Sequence, residues 1–136
     1  MEEEKSPMTG MTQEEKDEYV MGKAMDIMQT AHMLNFDTTV TGVTALPNDP
    51  EGYAPTAGSD VVVVTSGMPR KPGMSREDLI GVNAKIVKSV VDQALKYSPN
   101  AYFIIISNPM DAMTFLTLKD TKLPRNRILG QGGMLD

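Results

Sequence analysis

Two uninterrupted apolar runs constrain this chain more than any other feature of its sequence: Val61-Val62-Val63-Val64 and Ala101-Tyr102-Phe103-Ile104-Ile105-Ile106. Neither alternates apolar with polar residues, so each reads as a strand covered on both faces within a parallel sheet. Parallel neighbours need a crossover of a dozen or more residues, usually a helix, and the stretch between the runs supplies one. Ser75 is a plausible N-cap with Asp78 three positions on, and Leu79, Ile80, Val82, Ile86, Val87, Val90, Val91, Ala94 and Leu95 mark one broad apolar face. The spacing predicts a long helix running to about Tyr97, stopped by Ser98-Pro99-Asn100.

Asn108-Pro109 ends the second run abruptly, because the residue before a proline is disfavoured in helical conformation. A shorter helix is expected over 111–120, and Arg127-Ile128-Leu129-Gly130 reads as a last short strand. Earlier in the chain, Thr12 with Glu15 resembles a capping box. Val20, Ala24, Ile27, Met28 and Ala31 then recur at helical spacing, giving a helix of about 13–33. Thr38 to Thr44 is rich in β-branched residues and suits a short strand, after which Pro47, Asn48, Asp49, Pro50 and Gly52 force a loop. Residues 1 to 18 carry too little apolar surface to offset the cost of ordering and read as a frayed arm. Strands alternating with helices of this length define an α/β chain with a mostly parallel sheet.

Composition removes several classes of function. A net charge of -5 argues against a nucleic-acid partner, which needs a basic surface to displace counterions. With no cysteine, thiolate nucleophiles, disulfides and Cys-based metal sites are excluded, and one histidine is too few for a histidine metal cluster, so no metal is expected. The acidic opening Met1-Glu2-Glu3-Glu4-Lys5 lacks the basic and apolar regions of a signal peptide, and no apolar run reaches membrane-spanning length. The expectation is a soluble, cytoplasmic protein with no membrane partner.

In open α/β sheets ligands bind beyond the carboxyl ends of the strands, which directs attention to Ser66-Gly67 onward and Ser107-Asn108 onward. Arg70 lies in a Pro/Gly-bounded loop after the first run, and Arg76 lies in the first turn of the following helix. Guanidinium forks match carboxylates bidentately, so the pair could grip a dicarboxylate; from position alone, both could equally be solvated surface charges. Asn108 before Pro109 is a common turn arrangement. His32 sits near a helix end, where an imidazolium faces the C-terminal dipole favourably. The Met21, Met25, Met28 spacing reads as a helix face given to core packing.

Ser66-Gly67-Met68-Pro69-Arg70-Lys71-Pro72-Gly73-Met74-Ser75-Arg76-Glu77-Asp78-Leu79 resembles the mobile active-site loop of the malate dehydrogenase branch of the lactate/malate dehydrogenase family. Asn83-Ala84-Lys85-Ile86-Val87 and Ile106-Ser107-Asn108-Pro109-Met110-Asp111 follow in the order and spacing of that family. Gly22 to Ala31 and Gly130 to Asp136 also resemble its segments, so the match covers about 20–136. Several ordered motifs together are far more specific than a lone glycine pattern. The resemblance implies NAD as cofactor and malate or oxaloacetate as substrate, with Arg70 on the distal carboxylate and Arg76 as a second substrate-binding arginine. Lactate dehydrogenases usually carry a neutral glutamine at the place of Arg70, so another 2-hydroxyacid dehydrogenase is the less favoured reading within the class. The resemblance further implies that Asn108 bonds substrate beside the nicotinamide ribose, with Ile106 and Ser107 lining the cofactor and Asn83 contacting it. It also implies that Asp136 orients a catalytic histidine.

Members of this family begin with a strand, a Gly-x-Gly-x-x-Gly turn, a helix and a second strand ending in an acidic residue. These features do not occur in this sequence, and neither does the catalytic histidine. The expected fold is therefore a partial doubly wound, Rossmann-like parallel sheet lacking its first two strands. The expected organisation is a polar, acidic, disordered arm over 1–19 and an incomplete dinucleotide-binding domain over 20–136. Such a piece is expected to be inactive alone, poorly stable unless 38–44 pairs directly with 61–66, and homo-oligomeric in the full-length enzyme. A non-catalytic dicarboxylate-binding or dimerisation module is the alternative of a different class.

Overall fold

The computed structural model describes residues 8–45, 49 and 51–133. The chain divides into two compact units, Met1–Pro55 and Thr56–Asp136.

In the first unit helix α1 (Gln13–Gln29) starts at the capping box read from sequence. The Glu15 N–H donates to Thr12 Oγ1 at 3.3 Å and the Thr12 N–H donates to Glu15 Oε2 at 2.7 Å, satisfying two of the free donors of a helix start. Residues 13–19, within the expected arm, are thus helical, whereas 1–7 lie outside the described residues. The single helix expected over 13–33 is broken at Thr30, and a short α2 (Ala31–Leu34) follows. The Thr30 hydroxyl donates to the Ile27 carbonyl at 2.7 Å, a local bond that competes with the helical ladder. Asn35 then ends α2 in the left-handed conformation at φ 53°.

Two expectations fail here. Residues 38–44 form no strand, because β-branched residues favour a ladder only where a neighbouring strand offers partners, and the described residues offer none. The segment instead presses on α1 at Gly42, where a Cβ would collide with the Val20 carbonyl oxygen and lie 2.7 Å from its carbon. The methionine face of α1 is not core: Ala24 alone is buried, while Met21, Met25 and Met28 are exposed, Met21 and Met25 along a groove they share with Gly42, Val43 and Gly52. On α2, Met33 is 87% exposed.

The second unit holds the sheet, in which β1 (Val61–Val64), β2 (Tyr102–Ile105) and β3 (Ile128–Gly130) lie side by side in that order, all parallel. The register sets Val64 opposite Ile105 and Phe103 opposite Ile128. Helix α3 (Arg76–Tyr97) joins β1 to β2, and α4 (Met110–Thr121) joins β2 to β3. Right-handed crossovers that advance in one direction place both helices on one face. The core follows from that: Val64, Phe103, Ile105 and Ile128 point inward to meet Leu79, Val87, Val91 and Ala94 of α3 and Met113 of α4, all buried.

The alternate residues face the other way. Val61, Val63, Tyr102 and Leu129 remain about half exposed, so the described sheet is covered on one face rather than on both. The apolar runs fit a doubly wound sheet, of which three strands and the helices of one side are present. Side chains close the unit at its lower end, where Ser98 Oγ donates to the Thr56 carbonyl at 2.6 Å. The Arg127 guanidinium donates to the carbonyls of Pro99 and Ala101, each at 2.7 Å, fixing the approach to β3.

Candidate functional site at the carboxyl ends of the strands

Beyond Val64 and Ile105, β1 and β2 are tied together by side chains as well as backbone. The Ile106 N–H continues the ladder to the Val64 carbonyl at 2.9 Å. Buried Ser107 donates its hydroxyl to the Ser66 carbonyl at 2.5 Å, with the Val64 carbonyl at 3.3 Å. Ser66 Oγ beside it is itself buried with no partner among the described residues.

Asn83 lies one helical turn from Leu79 and one from Val87 on the buried face of α3, and is 1% exposed. Its Oδ1 accepts the Met68 N–H at 2.8 Å, while Nδ2 donates to the Met68 carbonyl at 3.2 Å and to the Asn108 carbonyl at 2.6 Å. A buried polar group in an apolar stripe must find partners, and this one finds them on the loops following both strands.

The loop from Met68 leads out to Arg70, which is exposed. A turn closed by the Met74 N–H to the Lys71 carbonyl, with Gly73 at φ 82°, brings the chain back toward α3. Arg70 Nε donates to the Met74 carbonyl at 3.1 Å, so its side chain bends over its own loop to the foot of the helix. Arg76 is the first residue of that helix and is exposed, its side chain forming no hydrogen bond or ion pair among the described residues. The helix start is fixed by a second capping box: the Asp78 N–H donates to Ser75 Oγ and the Ser75 N–H to Asp78 Oδ2, each at 3.0 Å. The hydrogen bonds from the Ser75 hydroxyl and then the Ser75 backbone hold the Asp78 carboxyl below its ordinary range.

Across from this loop, Ile106 is partly buried and Asn108 is exposed, with its carbonyl held by Asn83 and a cis bond to Pro109. The structure thus gathers Arg70, Arg76, Asn83, Ile106, Ser107 and Asn108 at one end of one unit. Asp136 lies outside the described residues. His32 is on α2 in the first unit. No cluster of three or more metal-ligating His, Cys, Asp or Glu exists among the described residues, and none of the described helices is long and apolar enough to cross a membrane.

Sequence reasoning placed these residues but missed how Asn83 and Ser107 spend their polar atoms on backbone. For Asn83 a signal was present, since an amide between Leu79 and Val87 interrupts an otherwise apolar face. The Arg127 anchor had none, because its partners are carbonyl groups.

Parallel strands in sequential order, helical crossovers and polar side chains at the strand ends define a sheet of the dinucleotide-binding class. The sequence profile of the lactate/malate dehydrogenase NAD binding domain matches residues 9–130. The chain belongs to that family, and NAD is the cofactor of the domain it matches. It is 68% identical over 115 residues to the malate dehydrogenase of Bacteroides thetaiotaomicron, a match covering 85% of this chain and 35% of that protein. Among solved structures it is similar to the apo malate dehydrogenase of Picrophilus torridus, with TM-score 0.74 and 41% identity over 85% of this chain and 35% of that one. It is also similar to the malate dehydrogenase of Archaeoglobus fulgidus in complex with NADH, with TM-score 0.71 and 33% identity over 86% of this chain and 37% of that one. The chain therefore spans about a third of the length of these relatives.

Partly buried Ile106 and exposed Asn108 leave an apolar and a polar side chain at this strand end, chemistry that fits one end of a dinucleotide, whereas the sequence contains no Gly-x-Gly-x-x-Gly run to cradle a pyrophosphate.

Proposed function

We propose that this chain is the substrate-gripping part of an NAD-dependent malate dehydrogenase, an enzyme that oxidises (S)-malate to oxaloacetate in the tricarboxylic acid cycle. The observation that carries the reading is that two exposed arginines, Arg70 and Arg76, flank one turn beyond the carboxyl end of β1. Arg70 pairs with the distal carboxylate and Arg76 with the other end of the diacid. A monocarboxylate would leave a cation without its partner in a closing site, so the pair selects against lactate. Pro69, Pro72 and Gly73 suit a loop that folds over substrate and excludes water.

Asn108 orients the substrate and Ile106 and Ser107 line the nicotinamide; Asn83, expected to contact the cofactor directly, is proposed to act from behind them instead, because its buried amide is spent on the Met68 and Asn108 backbone. NAD, when bound beside these residues, would supply the hydride acceptor for the malate carbinol carbon. The proton needs a histidine oriented by Asp136, and the one histidine of these 136 residues, His32, belongs to the other unit. The chain is accordingly proposed to bind a diacid but not to turn it over. Its organisation is proposed as an arm over 1–19 and an incomplete binding domain over 20–136, and the complete enzyme as a cytoplasmic homo-oligomer.

Isothermal titration of oxaloacetate and NADH into the chain tests the reading. Diacid binding that weakens in Arg70→Gln and Arg76→Gln is expected; heat equal to dilution for oxaloacetate would refute it. Oxaloacetate binding that NADH neither joins nor alters would favour a non-catalytic carboxylate-binding module. A steady-state assay of NADH absorbance is expected to stay flat, and measurable turnover would overturn the proposed inactivity.

A further inference from the structure

We infer that Asn83 is a positioning residue that sets the separation between the Arg70 loop and Asn108, acting as an internal tie between their backbones; its part in ligand binding rests on the diacid reading above. The amide is saturated from within. Both Nδ2 protons are given to carbonyl oxygens, of Met68 and Asn108, and Oδ1 takes the Met68 N–H. At 1% exposure the side chain is closed off from solvent. Leu79 and Val87, buried on either side, hold the helix face that carries it.

The neighbouring backbone is shaped to the amide as well. A Cβ at Gly67 would sit 3.3 Å from the Cγ, Nδ2 and Oδ1 of Asn83, so glycine allows the loop to come this close. Only an amide of this length answers both demands, one donor facing inward and two carbonyls. Aspartate keeps the shape but turns an acceptor toward two acceptors, and leucine orphans three backbone groups. The Ser107 hydroxyl bond to Ser66 is a second, independent link between the same strand ends. Asn83, by contrast, reaches the loop that carries Arg70.

The test is hydrogen exchange by NMR on the 136-residue chain, with and without oxaloacetate. In the unaltered chain the Asn83 Nδ2 protons should exchange at least about tenfold more slowly than those of exposed Asn35, Asn100 and Asn126. Exchange as fast as theirs overturns the tie. In Asn83→Asp the Met68 N–H should lose about tenfold or more of its protection, while the amides of Val87 and Phe103 keep theirs. Equal loss at all three would mark Asn83 as a general core group and overturn the proposal.

Oxaloacetate should shift the resonances of the Arg70 loop and of Asn108 together in the unaltered chain, and about tenfold more weakly in Asn83→Asp. Unchanged affinity in the variant overturns the positioning role. If oxaloacetate shifts nothing in the unaltered chain while the Asn83 protons stay protected, the diacid reading falls and the tie stands.

Discussion

Val63 and Val64 are neighbours in β1 that point to opposite faces of the sheet, and the same substitution at each should cost different amounts. Val64 is 1% exposed among the inward side chains, whereas Val63 is 53% exposed. Val64→Ala removes two buried carbons, about 1.6 kcal/mol of transfer free energy at roughly 0.8 kcal/mol each. The incompletely collapsed cavity adds to this, for about 2–3 kcal/mol in all. Val63→Ala removes carbons already half in water and leaves no cavity, so about half the transfer term remains, roughly 0.8 kcal/mol. With a urea slope of about 1–3 kcal/mol/M, the Val64 variant should lower the unfolding midpoint by about 1 M or more and the Val63 variant by a third of that. Urea titration followed by circular dichroism at two protein concentrations measures both. Equal shifts, or a Val63 shift that grows with protein concentration, would show that the Val63 face is covered and refute the one-sided packing.

Arg70→Gln should weaken oxaloacetate binding about tenfold or more, the scale of a hydrogen bond to a charged group, and calorimetry reads it directly. Gly42→Ala should destabilise the first unit by about 1–3 kcal/mol, because its Cβ meets the Val20 backbone rather than a yielding side chain; proteolysis near α1 becoming faster is the measurable sign. The Asp78 carboxyl, held low by the Ser75 bonds, contributes stability that is present above its unfolded pKa and lost as pH falls through the lower folded value. Acid unfolding of Ser75→Ala, which removes those bonds, should therefore show a weaker pH dependence in that acidic window than the parent chain; identical profiles would exclude the capping box as the cause.

The parts of the fold readable in the sequence are those whose forces are local or repetitive. Val61–Val64 and Tyr102–Ile105 announced strands because an unbroken apolar run has few other uses at that length, and Thr12/Glu15 and Ser75/Asp78 announced helix starts through bonds three residues apart. Residues 38–44 were misread because β propensity describes a surface awaiting neighbours, and the neighbour is not encoded in the segment. The same limit applies to the methionines of α1: periodicity shows that a face exists, not that something covers it. At the site, Arg70, Arg76 and Asn108 could be placed from their motifs and their position after strands. The saturation of the Asn83 amide could not, since its partners are backbone groups 15 and 25 residues away.

The uneven burial of thioethers has a chemical corollary. This chain has twelve methionines and no cysteine, so mild peroxide meets no thiol that would consume it first. Met33, 87% exposed, should become the sulfoxide early, whereas Met113, at 0%, is shielded until α4 leaves the sheet. The order in which sixteen-dalton increments accumulate along the chain is thus a built-in footprint of which helix faces the packing has sealed.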